Sequence, residues 1–104
     1  MTRQFDVFHN PSRSGRVDRP FILIVQAPYL DHLKTRVGGP LVTERALRRE
    51  LRLNPELPVQ GQNYYFSPTE LVTFPLQLLH QPVTNLEAYR DRIIAALDLV
   101  FTGI

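Results

Sequence analysis

The chain has 104 residues, a length that suits one domain built around one hydrophobic core. Its 43% apolar and 21% charged content is ordinary for a soluble globular domain. Cysteine is absent, which excludes a disulfide scaffold and any cysteine-ligated metal site. No apolar run is long enough for a signal peptide or a membrane span. The sequence therefore predicts a cytoplasmic protein, with a single domain over residues 1–104.

The small positive charge does not by itself predict a nucleic-acid-binding protein. Twelve basic residues nearly balance ten acidic ones. The arginines concentrate in an early loop, at Arg13, Arg16 and Arg19, and in a middle segment that also carries glutamates. Neither cluster contains an interleaved aromatic residue on which a base would stack. A solvated charged surface is therefore the favoured interpretation, and a phosphate-binding patch is the minority one.

Three strands are predicted in the first half of the chain. Gln4–His9 alternates between its two faces, and Asn10–Arg19 is rich in turn residues and predicts an exposed, mobile loop. Phe21–Gln26 is a continuous apolar run, which predicts a strand buried on both faces. Lys34–Val42 is a weaker strand, which we expect to be interrupted by a bend or bulge at residues 38–40.

The middle of the chain alternates between turn signals and short periodic stretches. Thr43–Leu53 has a local helical pattern that prolines then close off. Leu57–Gln60 and Gln62–Phe66 predict a short hairpin around the glycine between them. Val72–Leu79 is predicted as a strand in which Pro75 marks an edge or a bulge.

The last stretch, Thr84 to Ile104, predicts an amphipathic helix. Thr84 and Glu87 have the spacing of a capping box at its start. The apolar positions recur at helical spacing: Leu86, Tyr89, Ile93, Ala96, Leu97 and Val100. Several short strands followed by one helix favour a small, strongly bent antiparallel sheet that the helix closes or covers.

No catalytic motif is present in the sequence. His9, His32 and His80 are too far apart along the chain to indicate a local metal site. The residues alone therefore favour a binding protein over an enzyme, with no catalytic residue, metal or cofactor predicted.

Four stretches resemble the CcdB family in order and spacing. They are Gln4–Phe8, Ile24–Gln26 with Asp31 beyond it, Val72–Leu79, and Ile93–Ile104 with its Gly-Ile end. The likeness runs from one end of the chain to the other. It implies a mainly β, α+β fold: an SH3-like, five-stranded antiparallel barrel with a C-terminal helix. In that fold, Thr43–Leu53 is expected to be largely irregular or extended rather than helical.

The resemblance also implies a function and a set of partners. CcdB proteins are the toxins of plasmid and chromosomal toxin–antitoxin pairs. They form homodimers that bind the A subunit of DNA gyrase and trap it on cleaved DNA, without making or breaking bonds themselves. A cognate CcdA-like antitoxin neutralises the toxin through a disordered segment. The complex represses its own operon, with the DNA contacts coming mainly from the antitoxin.

Two sets of site residues follow from the resemblance. The gyrase-binding surface is expected at the end of the terminal helix, at Asp98, Thr102, Gly103 and Ile104. The antitoxin-binding loop is expected within Asn10–Arg19, at Arg13, Ser14, Gly15 and Arg16.

One departure from the family pattern keeps alternatives open. The family motif ends Trp-Gly-Ile, and this chain has Thr102 at the tryptophan position. A large flat aromatic surface can act as a hot spot whose loss costs about 2–4 kcal/mol of binding free energy. A gyrase poison with this sequence would therefore need another anchor, for which Phe101 and Tyr29 are the candidates.

Three other interpretations remain. The protein could keep antitoxin binding while having lost or changed its target. It could be an endoribonuclease, because RNA-cleaving toxins share this barrel, with His9, His80 and the arginines as candidate catalytic groups. Finally, Gly103 and Ile104 could simply end the helix, since a glycine after the last helical turn is common.

Overall fold

In a computed structural model, residues 2–47 and 53–103 are described. They form an antiparallel sheet that curls into a nearly closed barrel, with one helix at the C-terminal end. The predicted fold class is therefore confirmed. In this part of the chain the sheet has seven strands rather than five. The elements are β1 (Asp6–His9), β2 (Phe21–Ile24), β3 (Thr35–Val42), β4 (Glu56–Val59), β5 (Gln62–Phe66), β6 (Val72–Pro75), β7 (Thr84–Asn85) and α1 (Arg90–Thr102).

β3 pairs with three other strands of the sheet. The strand order is β4-β5-β3-β2-β1-β7, and β6 pairs with the first half of β3. Along one edge of β3, the partner changes from β6 to β5 between Gly38 and Leu41. The predicted interruption is wrong, because β3 continues unbroken through residues 38–40. Both glycines are needed there: a Cβ on Gly38 would lie 2.9 Å from the Leu23 carbonyl oxygen, and one on Gly39 would lie 2.8 Å from the Phe66 ring.

Two apolar clusters cover the two faces of the sheet. The larger lies between the sheet and α1, where Val7 and Leu23 pack with Ile93 and Ala96. The smaller contains Phe8, Ile22, Ile24 and Leu79 and, among the described residues, none from α1. Side chains that are adjacent along a strand point to opposite faces, so β1 and β2 contribute to both clusters. All four residues of β2 are buried, which confirms the prediction of a strand buried on both faces.

The helix begins six residues later than the sequence predicts. Thr84 and Asn85 pair with β1, and the Leu86 amide donates to the Phe5 carbonyl at 2.9 Å. The predicted capping box is wrong, because the Asn85 side-chain oxygen accepts the Glu87 amide at 2.9 Å. A 3-10 turn over Glu87–Tyr89 then leads into α1. Pairing of Thr84 and Asn85 with β1, which is distant in sequence, has therefore outweighed the local helical pattern at the start of the predicted helix.

Two other predicted elements, one helical and one strand, are shorter in the structure than in the prediction. Within Thr43–Leu53, only Glu44–Ala46 forms a 3-10 turn and Leu47 is extended, while residues 48–52 lie outside the described part of the chain. The strand predicted to reach Leu79 stops at Pro75 and is followed by a 3-10 turn over Leu76–Leu78.

The predicted hairpin between β4 and β5 is confirmed. Its two turn residues, Gln60 and Gly61, both have positive φ, at 51° and 81°. That pair of angles is typical of the tight turns whose twist matches antiparallel strands.

A buried arginine holds the segment that follows β2. The Arg36 side chain is 2% exposed. It donates to the carbonyl oxygens of Asp31, Leu33 and Thr35 at 2.8–3.1 Å. The Asp31 carboxylate, one of the residues in the family resemblance, lies 3.8 Å from the Arg36 Nε. Backbone acceptors therefore satisfy most of the buried guanidinium, which gives Asp31 and Arg36 a structural role.

Candidate functional site

The tip of α1, defined here as Asp98 and residues 101–103, projects from the protein. Ile93 and Ala96 are fully buried and hold the helix against the sheet. Asp98, Thr102 and Gly103 are exposed, and the Phe101 side chain is 69% exposed. The structure therefore brings three of the four predicted gyrase-binding residues to one surface. The fourth, Ile104, lies outside the described residues.

The end of the helix is capped by its own residues. Gly103 adopts a left-handed conformation with φ of 75°, and its amide donates to the Leu99 carbonyl at 3.1 Å. Apart from its chain neighbours and its own helix backbone, no described residue has an atom within 4 Å of a Cβ placed on Gly103, so its conformation, rather than crowding, favours glycine. The Thr102 hydroxyl donates to the Asp98 carbonyl at 2.7 Å. Because this hydroxyl is used within the helix, Thr102 has mainly its methyl group left for a partner.

Asp98 gives the tip a negative charge at an unfavourable place. The C-terminal end of a helix carries partial negative charge, and the last turn of α1 contains no basic residue. Among residues 2–47 and 53–103, no cation forms an ion pair with the Asp98 carboxylate. Repulsion of this kind costs about 0.3–1 kcal/mol at an exposed helix end. The carboxylate is thus available to a cationic partner.

The loop of residues 10–19 is exposed but closed by hydrogen bonds. The Asn10 side chain donates to the Arg19 carbonyl and accepts the Ser12 amide, both at 2.9 Å. The Asn10 amide donates to the Pro20 carbonyl at 3.0 Å, and the Arg16 Nε donates to the Asn10 carbonyl at 2.6 Å. These bonds tie the two ends of the loop together, a restraint that the prediction of a mobile loop did not include.

The four predicted antitoxin-binding residues lie together in this loop. Ser14, Gly15 and Arg16 belong to a 3-10 turn, and Arg13 immediately precedes it. A Cβ on Gly15 would lie 2.9 Å from the Asn10 Nδ2, so the turn packs closely against the asparagine. Arg13 and Arg16 are exposed to solvent.

A cleft of about 440 Å³ runs beside this loop; we call it the cationic cleft. Arg13 and Arg16 line it together with His9 at the end of β1 and His80 beyond β6. The remaining lining residues are Phe8, Pro11, Leu78 and Gln81. Both histidines are candidates from the sequence, but no sequence pattern predicts that they share one cleft, because the sheet brings together segments that are distant along the chain.

A second, mainly apolar pocket of about 310 Å³ borders the same loop; we call it the apolar pocket. Its rim carries Asn10 and an ion pair in which the Arg19 Nε lies 2.8 Å from a Glu70 carboxylate oxygen. The apolar lining residues are Ile22, Pro40, Leu71, Val72 and Phe74. No motif in the sequence pointed to this pocket, because its residues come from four separate segments.

Other elements add little to these sites. Tyr29 is 82% exposed on a 3-10 turn after β2. Among the residues that the structure describes, no group of three or more potential ligands could hold a metal ion. Over the same residues, no helix has both the length and the hydropathy needed to cross a membrane.

The chain shares its barrel with one C-terminal helix with proteins of known structure. It is similar to the structure of an endoribonuclease in complex with its cognate antitoxin from Mycobacterial species, with a TM-score of 0.74. The two chains are 19% identical, and the match covers 94% of this chain and 92% of the other. At this identity the likeness supports the fold. Among curated proteins, no sequence match is found.

The family follows from a sequence model rather than from this fold. The model of the CcdB family, described as CcdB protein, matches residues 4–103. The chain therefore belongs to the CcdB family. This membership places it among the toxin components of toxin–antitoxin pairs.

Proposed function

We propose that the protein binds the A subunit of DNA gyrase through the tip of α1 and traps the enzyme on cleaved DNA. The observation that carries this proposal is the exposure of Phe101 beside Asp98, whose carboxylate forms no ion pair with a described residue, at the helix end where the family resemblance puts the gyrase contact. No bond is made or broken by the toxin in this mechanism.

The tip offers two complementary kinds of contact. A phenylalanine of this exposure supplies flat apolar area, which makes aromatic residues common hot spots of interfaces. The Asp98 carboxylate can accept charge-assisted hydrogen bonds from a guanidinium of the target. Phe101 and Asp98 together replace part of what the family tryptophan supplies, and the Thr102 methyl adds a small apolar contact.

The remaining parts of the proposal follow the family. The toxin acts as a cytoplasmic homodimer, and a cognate antitoxin neutralises it by binding at the loop that contains Arg13, Ser14, Gly15 and Arg16. The toxin–antitoxin complex represses its own operon, and the antitoxin provides the main DNA contacts.

Purified protein tests the gyrase proposal directly. We expect it to inhibit DNA supercoiling by gyrase and to increase double-strand cleavage when gyrase, plasmid and ATP are present. The double variant Phe101→Ala, Asp98→Ala should lose both effects while keeping its folded circular dichroism spectrum. Activity that is equal in the wild type and this variant would reject the tip as the gyrase-binding surface.

A second candidate function, RNA cleavage, is favoured by the cationic cleft. His9 and His80 both line the cleft, and the His9 ring lies 5.2 Å from the Phe21 ring, centroid to centroid. Two imidazoles that reach one phosphodiester can act as general base and general acid when a ribose 2′-hydroxyl attacks the phosphorus. The 2′-oxygen forms a bond to phosphorus and gives its proton to the general base. The bond from phosphorus to the 5′-oxygen breaks, and that oxygen takes a proton from the general acid. His9 and His80 would fill these roles, and Arg13 or Arg16 would stabilise the charged transition state.

Single substitutions separate this second candidate from the first. If the cleft cleaves RNA, His9→Asn and His80→Asn should each abolish cleavage of a labelled RNA. The control His32→Asn, which changes an exposed histidine outside the cleft, should leave it intact. An absence of cleavage by wild-type protein would reject the ribonuclease candidate. Inactivity on both gyrase and RNA, with tight antitoxin binding, would indicate a family member with a changed target.

A further inference from the structure

We propose that the cationic cleft binds a free nucleoside monophosphate, with its phosphate on the arginines of the loop and its base on the segment that follows β6. The inference goes beyond the proposed function, because no described lining residue belongs to α1 and binding requires no bond to break. It is argued from the charge of the cleft, the free donors in it and the residues that line it.

The described lining of the cleft carries positive charge and no carboxylate. Arg13 and Arg16 line it, and none of its other described residues is acidic. Asp18, in the same loop, lies 3.6 Å from the side chain of Arg45 instead. A phosphate monoester carries nearly two negative charges at neutral pH, so it matches two uncompensated arginines better than a single carboxylate does.

Both arginines have donors that are free to bind a ligand. In the described part of the chain, the Arg13 side chain forms no hydrogen bond or ion pair. Arg16 uses only its Nε, which donates to the Asn10 carbonyl at 2.6 Å. That bond holds the Arg16 guanidinium in place and leaves its terminal nitrogens for a ligand. Because a guanidinium presents its donors in a planar fork that fits phosphate oxygens, the loop offers two such forks to one cleft.

The segment after β6 supplies a surface for a flat ring. Leu78 is 45% exposed, and both Leu78 and His80 line the cleft. Imidazole rings and apolar side chains are surfaces on which unstacked nucleobases pack in other sites. Gln81 also lines the cleft, and its amide can both donate to and accept from the polar edge of a base. A ligand that joins a ring to a phosphate therefore matches the cleft better than inorganic phosphate does.

The lining of the cleft is held in place before a ligand arrives. The Asn10 side chain donates to the Arg19 carbonyl and accepts the Ser12 amide, which closes the loop that carries both arginines. The His9 ring packs against the Phe21 ring, with 5.2 Å between their centroids. Binding sites lose affinity when loops and side chains must become ordered, so this arrangement lowers the cost of binding.

The size and surroundings of the cleft favour one nucleotide over a nucleic-acid strand. Its volume of about 440 Å³ lies in the range of about 300–1,000 Å³ that is typical of small-molecule sites. A strand binds where basic groups continue along its backbone. The next arginine of the loop, Arg19, is already paired with Glu70, whose carboxylate repels a second phosphate.

Calorimetric titration of the full-length protein at low salt tests the site. The common ribonucleoside 5′-monophosphates are compared with the corresponding nucleosides and with inorganic phosphate. We expect at least one monophosphate to bind about tenfold more tightly than its nucleoside and than inorganic phosphate. Equal binding of monophosphate and nucleoside would overturn the phosphate contact, and equal binding of monophosphate and inorganic phosphate would overturn the base contact. Absence of binding would overturn the whole proposal.

A pair of charge variants locates the phosphate. Arg13→Gln should weaken the tightest monophosphate about tenfold, because it removes a charge-assisted contact without breaking a described bond inside the protein. The control is Lys34→Gln, an equal charge change at an exposed residue outside the cleft, which should have no effect. Equal affinities of the two variants would contradict the position of the phosphate.

A pair of leucine variants locates the base. Leu78→Ala should weaken the monophosphate about threefold and leave the binding of inorganic phosphate unchanged, because it removes apolar surface only. The control is Leu33→Ala, since Leu33 is 41% exposed and does not line the cleft. A loss as large at Leu33 as at Leu78 would contradict the position of the base.

Competition with RNA distinguishes this site from the ribonuclease candidate. A single-stranded RNA without a terminal phosphate that binds more tightly than the monophosphate and displaces it would overturn the proposal in favour of a strand-binding cleft. The titrations contain neither gyrase nor RNA as a substrate. Monophosphate binding by a protein that inhibits no gyrase and cleaves no RNA would therefore support this inference while the proposed function failed.

Discussion

The tip of α1 depends on a single helix, whereas the cationic cleft and the apolar pocket, together called the groove below, are assembled from several separate segments of the chain. Buried Ile93 and Ala96 hold the helix against the sheet, and the Thr102 hydroxyl at the tip bonds within the helix. The groove instead combines residues of β1, the loop of residues 10–19 and the region around β6, and the Asn10 hydrogen bonds hold the loop in place.

This difference determines which surface can change without affecting the fold. A substitution at Thr102 alters an exposed side chain at a helix end, so the family tryptophan can be absent while the barrel is kept. Several substitutions in the loop would disturb hydrogen bonds that shape two depressions at once. We therefore expect the target-binding surface to diverge more easily than the partner-binding groove.

Removing the buried side chain that holds α1 against the sheet should have the largest effect on the free energy of unfolding, and it should distinguish the two regions. Ile93 is fully buried in the larger apolar cluster, so Ile93→Ala should lower the free energy of unfolding by about 2–5 kcal/mol. Ala95→Ser, at an exposed position of the same helix, should change it by less than about 0.5 kcal/mol. Chemical denaturation measures both, and a small loss at Ile93 would contradict the packing described for α1.

Phe101→Ala should be the next largest change, and it should affect the tip alone. Loss of an aromatic hot spot should weaken binding to the gyrase A subunit by about 2–4 kcal/mol, or roughly 30- to 1,000-fold. The matched control is Val17→Ala, because Val17 has the same 69% exposure but lies in the loop. Calorimetric titration of both variants tests the comparison, and equal affinities would show that exposure at the tip has no special role.

Asn10→Ala should act on the groove in the same selective way. The substitution removes two side-chain hydrogen bonds that close the loop, and we expect a loss of about 1–3 kcal/mol in the free energy of unfolding. Binding of the antitoxin at this loop should weaken while gyrase binding persists. Asn63→Ala is the control, because its exposed side-chain amide bonds, among the residues that the structure describes, only to the Glu56 side chain. A stability loss as large at Asn63 would refute the role of Asn10.

Asp98→Asn should have the smallest effect, with opposite signs for stability and binding. Removing a negative charge from the helix end should raise the free energy of unfolding by about 0.3–1 kcal/mol. Gyrase binding should weaken, because the carboxylate no longer meets a guanidinium. Thermal unfolding and titration in low and high salt check both parts. A variant that is more stable and binds more tightly would reject the electrostatic role of Asp98.

The sequence predicted the fold class and most strands because burial leaves a clear pattern in short elements. The continuous apolar run of β2 and the turn glycine at Gly61 were interpreted correctly on local chemistry alone. The start of α1 was not, because Thr84 and Asn85 pair with β1, far away in sequence. β3 was expected to break at its two glycines, which instead allow neighbouring strands to approach closely.

The candidate sites were predictable only in part. The tip is one continuous stretch, so the family resemblance identified its residues without knowledge of the fold. The groove joins His9, the loop and His80, and no local pattern shows that these segments meet. Its apolar pocket was missed altogether for the same reason.

Gyrase-dependent DNA cleavage by the wild type and the Thr102→Trp variant tests the central claim most directly. Tryptophan at this position adds a flat apolar surface beside Phe101, in an exposed place where it should not disturb the fold. We predict that the variant produces cleaved DNA at a lower protein concentration than the wild type, while Val17→Trp does not. Equal cleavage by the wild type and Thr102→Trp would contradict the claim that the tip of α1 binds gyrase.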